Sequence, residues 1–406
     1  MLSWAELRRE PFRILFPLGT AFGLVGVGHW LVYALGLTRS YSGFYHASVQ
    51  IGGFASCFIL GFLLTVLPRF ASLEPTSNAE LFVILALLVT QMICLSLGWW
   101  SAAQISFIGL LIVLAVFAAS RLIGKESKAH PPTEFVWIPI AILHGIAGAT
   151  LLLFGQLRAT PWALALGRPM MQQGFLLSMV MGVGGFMAPR LMGRGFIPVA
   201  PASAMSGYAP RIRRRKMILH VTAGVLLCLS FFLEAAHAIG PAYLLRGAVV
   251  TAELAWTTRF HRPPVFPELY VKFIWVSLWM VVLGLWAAGC FPRYRIGMLH
   301  FVFVGGLSLM LFAVATVVVL SHSGQSQRLR GQLWIVPVMG VMVAGAVVAR
   351  LLAEFVPAAF FPLMGVASAL WLVMAVSWLC FSLPPVSHPV PVDEVQRLQQ
   401  DAGRQS

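Results

Sequence analysis

Charge is what this chain has least of. Only 10% of its 406 residues are Asp, Glu, Lys or Arg, where an ordinary soluble domain carries about 25%. With 59% hydrophobic residues, that shortfall excludes both a soluble enzyme and a disordered chain. Cysteine is scarce as well. The five present, Cys57, Cys94, Cys228, Cys290 and Cys380, sit inside apolar runs with no close pair and no C-x-x-C. A disulfide-rich module is therefore excluded, and the five read as small buried apolar residues. Strict two-residue alternation is also missing from the long apolar runs, which excludes a membrane barrel. What remains is an all-α, polytopic integral membrane protein with the lipid bilayer as its solvent, consistent with a mean hydropathy of +0.86. Within hydrocarbon only a helix satisfies its own backbone groups when no barrel is formed.

The little charge there is leans one way: 28 Lys and Arg against 13 Asp and Glu give +15. No basic helix interleaved with aromatics accompanies it, so nucleic acid is not the partner. The bases lie in short loops, where the positive-inside rule accounts for them. The opening MLSWAELRRE carries both signs of charge before an apolar stretch too long for a signal peptide. No small-residue cleavage site follows, and the first run reads as a retained span.

About 20 apolar residues cross a bilayer. Twelve candidate spans lie near 12–37, 46–67, 81–100, 102–124, 135–157, 169–191, 217–240, 242–257, 269–291, 298–320, 333–352 and 360–382. Residues 1–383 thus form one transmembrane helical domain, and 384–406 a polar, flexible tail. No fixed-period repeat is visible. With the N-terminus in the cytoplasm, the inner segments hold nineteen Lys and Arg, including Arg211 and Arg213–Lys216, and the outer loops hold five. Twelve spans and that asymmetry place both termini in the cytoplasm.

Polar residues inside spans are costly and are functional by default. Glu234 and Arg246 flank the turn near Gly240 at similar depth, and Glu253 and Lys272 flank the next turn in the same way. Both sets read as structural ion pairs between neighbouring helices. Of the ten histidines, His130, His261 and His388 lie in loops or the tail. His29, His46, His237 and His300 fall toward the outer side, His144 near the middle, and His220 and His322 toward the inner side. His300 and His322 share a helix but stand roughly 33 Å apart at 1.5 Å per residue, so one metal cannot use both. Span six carries Met170, Met171, Met179, Met181 and Met187. Thioethers suit Cu(I), although adaptable packing is the ordinary reason for such a stripe.

At these residues the chain resembles the NnrS family. The second span, with His46-Ala47, Gly53-Phe54-Ala55, Gly61-Phe62-Leu63-Leu64-Thr65 and Pro68-Arg69, is similar to that family's second span. MLHFVFVGGLSLM, running on to VVLSHSG, resembles its His-led tenth span. The opening Pro11-Phe12-Arg13, the span number and the loop lengths agree. The resemblance implies a multi-pass protein of the bacterial inner membrane, associated with haem and copper and with the response to nitric oxide, a diatomic gas ligand. His46, His300 and His322 match the family pattern. His46-Ala47-Ser48-Val49 departs from its His-x-His-Glu, Gly184-Gly185-Phe186 from its Gly-Gly-Arg, and Val317 and Trp275 replace an Arg and a His.

The expectation that follows is a haem or metal centre near the outer face using His46 and His300, with His29 and His237 as neighbours able to complete it. His322, at the other level, serves something else. Two further readings stay open: a polytopic transporter, and a metal-free structural or interaction protein of the same fold. No residue pattern establishes catalysis.

Overall fold

Apolar runs of bilayer length fold as helices, and no strand occurs among the described residues of the computed structural model, which are 2–71, 73–122, 131–194 and 210–388. Among these described residues eleven helices are long and apolar enough to cross a membrane. They are α1 (Phe12–Ala34), α2 (Gly43–Arg69), α3 (Asn78–Ser96), α4 (Trp100–Arg121), α5 (Thr133–Leu157) and α6 (Pro161–Leu191). The others are α7 (Pro210–Ala235), α9 (Leu269–Cys290), α10 (Pro292–His322), α11 (Ile335–Phe355) and α12 (Pro357–Val386).

The helix between α7 and α9, α8 (Ile239–Thr257), has 19 residues but is diluted by Arg246 and Glu253. It nevertheless runs from one end of the bundle to the other. It leaves the turn that closes α7, and its far end meets the end of α6, where Arg194 donates to the Arg259 carbonyl at 2.7 Å. It packs against both α7 and α9, completing twelve helices. The last of these continues through Pro384 and Pro385 to Val386, past the expected boundary at 383. The rest of the tail lies outside the described residues, with His130, Lys125, Lys128, Arg397 and Arg404.

Helix starts follow ordinary capping chemistry. Ser77 opens α3: its hydroxyl accepts from the Glu80 N–H, and Glu80 Oε2 accepts from the Ser77 N–H at 2.7 Å, a reciprocal capping box. The same carboxylate takes both terminal nitrogens of Arg121 at 2.8 and 2.9 Å, tying the start of α3 to the end of α4. Arg213, at the start of α7, donates to the Pro131 carbonyl ahead of α5 at 2.8 Å. With alternating helices these contacts fall on one face, here termed the basic end.

Three helices form the interior. In their most apolar stretch α2 is 94% buried, α6 67% and α10 72%, and no other of the eleven exceeds 50%. They stand four spans apart, and each contains widened π-helical turns: Val49–Ala55, Met170–Gly174 with Val180–Gly184, and Phe301–Ser308. Their residues fall in common register. Gly53-Phe54, Gly61 and Pro68-Arg69 match Gly174-Phe175, Gly182 and Pro189-Arg190; Gly52-Gly53 and Arg69 match Gly305-Gly306 and His322. The chain is thus built from three four-helix units, a repeat hidden in the sequence because so few positions carry it. Around the interior the remaining helices pack in sequence, and α12 lies against both α11 and α1 to close the ring. Their outer faces show Val83, Val116, Leu143 and Val341, an apolar belt suited to lipid. Cys290 and Cys380 are also exposed, contrary to the buried expectation, while Cys57 and Cys94 are buried.

Backbone closeness between α5 and α6 rests on Gly148, where an added Cβ would stand 2.4 Å from the Met171 nitrogen and 2.8 Å from the Gly167 carbonyl oxygen. Backbone cannot step aside as a side chain can. Gly148→Val is expected to destabilise the detergent-extracted protein by about 1–3 kcal/mol, the range for overpacking, read as a lower melting temperature.

Candidate cofactor site

His46 lies in the first turns of α2, and His300 just ahead of the widened turns of α10. Each ring is held the same way. His46 Nδ1 meets the Gly26 carbonyl of α1 at 2.9 Å, and His300 Nδ1 meets the Ile296 carbonyl one turn back at 2.7 Å. A carbonyl only accepts, so Nδ1 carries the proton in both rings and Nε2 presents its lone pair. Metal-ligating histidines have this arrangement, a fixed tautomer with the second nitrogen free. Among the described residues neither Nε2 has a hydrogen-bond partner. The two imidazoles, on separate units of the repeat, lie within electrostatic reach of each other and of Arg350 near the end of α11.

Two side chains not anticipated from the sequence complete this corner. Trp30 of α1 packs edge-on against the His46 ring, with centroids 6.0 Å apart. Its indole nitrogen is buried without an acceptor, as is Nε of Arg350. An arginine inside an apolar run, here VVARLLAEF, was the available signal.

The other expected neighbours are used differently. His29 Nε2 accepts from the Ser42 N–H at 2.7 Å, so this ring fastens the α1–α2 loop and its ligating nitrogen is engaged. It also lines an open cleft of about 430 Å³ with Val25, Tyr45 and Trp100. His237 sits exposed on the α7–α8 turn with φ of 65°, and no described contact joins it to His46 or His300. The thioethers of α6 lie in the apolar core, where Met171, Met181 and Met192 are almost completely buried. Among the described residues, no three His, Cys, Asp or Glu side chains group as a protein-only metal centre would need.

His322 belongs to an ionic cluster at the basic end. Its Nδ1 lies 2.8 Å from Glu10 Oε1, and Arg69 bridges to both the same carboxylate and the ring. Arg13 Nε donates to Glu10 Oε2 at 2.6 Å, and its terminal nitrogens reach the Val386 carbonyl at 2.7 Å and the His322 carbonyl at 2.9 Å. Four helices, α1, α2, α10 and α12, are thereby tied at one end. Burial alone would raise the Glu10 carboxyl, but His322, Arg13 and Arg69 outweigh it and hold it at about 2, against an ordinary 4.5. A folded-state value below the unfolded one stabilises above pH 4.5 and is lost as pH falls toward 2. That shift corresponds to roughly 3 kcal/mol. Glu10→Gln should therefore lower the melting temperature at pH 7, and the gap from wild type should close on acidification toward pH 2.

The middle unit carries a different, self-contained network. Arg246 Nη2 donates to Glu234 Oε2 at 2.8 Å, Nη1 to Gln173 Oε1 at 2.5 Å and Nε to Ser230 Oγ at 3.1 Å. Gln173 donates to the Tyr243 hydroxyl, which donates to Glu234 Oε1 at 3.0 Å. The pairing across the α7–α8 turn is thus as the spacing suggested. The second pairing is not. Glu253 lies 2.6 Å from His220 Nδ1 and accepts from Trp137 Nε1 at 3.0 Å, whereas Lys272 is exposed. Depth alone matched Glu253 with Lys272; helix rotation turns Glu253 toward α5 and α7 instead.

A family model, NnrS protein, matches residues 6–389. The chain belongs to the NnrS family. No curated protein is significantly similar to it. In this NnrS protein His46 and His300 share one corner, and His322 is committed to the ionic cluster at the basic end. The middle unit has Gly167 in register with His46; its buried histidines, His144 and His220, meet Ser178 Oγ at 3.2 Å and Glu253 Oε1 at 2.6 Å, and the Arg246 network fills the polar interior.

The residues of the corner fit a haem. A porphyrin supplies four of the iron's six ligands and asks only one or two imidazoles of the protein, while its carboxylates need donors such as those left bare on Arg350 and Trp30.

Proposed function

We propose that this NnrS protein binds haem at the corner defined by His46 and His300 and acts in the bacterial response to nitric oxide. The observation that carries the reading is the shared anchoring of both Nδ1 atoms on backbone carbonyls, which leaves two Nε2 lone pairs as ligands. Bound haem would supply an iron able to take a diatomic gas in exchange for one of the two imidazoles. The chain's part is to hold two imidazoles in one tautomer, on separate repeat units. Copper could occupy the same nitrogens, and metal analysis of purified protein separates the two. We further propose that the basic end faces the cytoplasm of a bacterial inner membrane with both termini inside, the arrangement the base asymmetry favours.

Titrating the reduced, purified protein with nitric oxide tests the reading. The Soret band should shift with increasing gas and return toward its starting position on removal. A haem band that ignores nitric oxide would remove the gas from this proposal, and the absence of any haem band would remove the cofactor.

A second reading has one observation in its favour. Interrupted interior helices at matching positions are a transporter's signature, and α2, α6 and α10 have them. Uptake by proteoliposomes of a solute that empty liposomes exclude would support it.

A further inference from the structure

We propose that Arg350 and Trp30 form a binding site for a carboxylate or a similar small oxyanion beside His46 and His300. Four arginines are buried within spans among the described residues, and comparing them singles this one out. Arg121 gives both terminal nitrogens to the Glu80 carboxylate. Arg246, with no exposed surface, has Nε and both terminal nitrogens hydrogen-bonded to Ser230, Gln173 and Glu234. Arg13, 2% exposed, is likewise bonded at all three nitrogens by Glu10 and the carbonyls of Val386 and His322. Arg350 is only 5% exposed, yet its Nε has no acceptor. Glu354 Oε1 stands 2.8 Å from Nη1 as its counter-ion.

Trp30 adds a donor of another kind from another helix. It is 9% exposed with its indole N–H unpartnered. It reaches the same corner through its edge-on contact with His46 and through Phe360, which packs against the Trp30 cluster and lies under the Arg350 guanidinium at 5.7 Å. Buried donors lacking acceptors are few in native proteins and costly. A guanidinium N–H suits a charged oxygen acceptor, and the indole N–H offers a second donor for another oxygen of the same group. All of these groups donate, so the ligand must accept.

Such an acceptor has two sources: a carboxylate of bound haem, which rests on the reading above, or a free oxyanion, which does not. Two titrations of apoprotein in detergent separate them. One compares haem with its dimethyl ester by absorbance; the other adds formate and follows the melting temperature, with chloride as control. For the cofactor source, wild type should bind haem at least tenfold more tightly than the ester, and Arg350→Gln should erase the preference. For the free anion, formate should raise the melting temperature of wild type and leave Arg350→Gln unmoved. If Arg350→Gln fails to fold, Arg350→Lys, which keeps the charge without the guanidinium, and Trp30→Phe carry the same comparison, each with a several-fold loss. Equal binding of haem and ester together with no formate response in wild type would overturn the site. Persistence of either preference in the folded variants would overturn it too. Haem bound without ester discrimination or formate response leaves the haem reading and removes this site; a formate response in protein that binds no haem does the reverse.

Discussion

His300→Ala is expected to weaken haem binding at least tenfold and to change the Soret position of whatever haem remains; His46→Ala should do the same. The two rings are held by carbonyls on different helices, Gly26 of α1 for His46 and Ile296 of α10 for His300, so losing one leaves the other oriented. Each variant should thus keep residual occupancy, and the double variant should lose nearly all of it. Loss of a supporting contact alone commonly costs about 10–100-fold in metal affinity, and removing a ligand should cost no less. His322→Ala is the informative control. It loosens the cluster around Glu10 and should lower the melting temperature, yet leave the spectrum in place. Haem content and spectra of the four proteins, normalised to folded protein, decide the matter. A spectrum abolished by His322→Ala and untouched by His46→Ala would reverse the assignment.

The largest loss of stability should come from Glu234→Ala. It leaves the fully buried Arg246 with two neutral partners and no counter-charge, a change that costs about 3–5 kcal/mol where an ion pair is buried. The Tyr243 hydroxyl loses its acceptor as well. Because Gln173, Ser230 and Tyr243 share the network, the effects are not additive, and Arg246→Met combined with Glu234→Leu should be less harmful than Glu234→Ala alone. Melting of the detergent-extracted protein checks both. Equal stability of Glu234→Ala and wild type would mean that the pair carries no weight.

Helices, their number and their order were legible in the sequence because a bilayer imposes one length on every apolar run. The eighth helix is the least apolar of the twelve in its most apolar stretch, since Arg246 and Glu253 serve the interior and not the lipid. Spacing about a turn found Glu234 with Arg246, where both residues also point inward. The same logic failed for Glu253 and Lys272, because depth is shared by every side of a helix while direction changes by about 100° per residue. The threefold organisation escaped notice because lipid-facing positions accept any apolar residue, leaving a few glycines and Pro-Arg steps to record it. Histidines drew attention as ligand types. Arg350 and Trp30 did not: by sequence Arg350 falls within or at the end of a span and carries no role, and the unpartnered nitrogens of the two side chains are seen only in place.

The most direct measurement is the haem content of wild-type protein purified from cells supplied with ample haem and copper, taken by pyridine haemochrome beside that of the His46→Ala/His300→Ala double variant. The expected result is haem in wild type and nearly none in the folded double variant. Cofactor-free wild type, or equal haem in both proteins, would contradict the site.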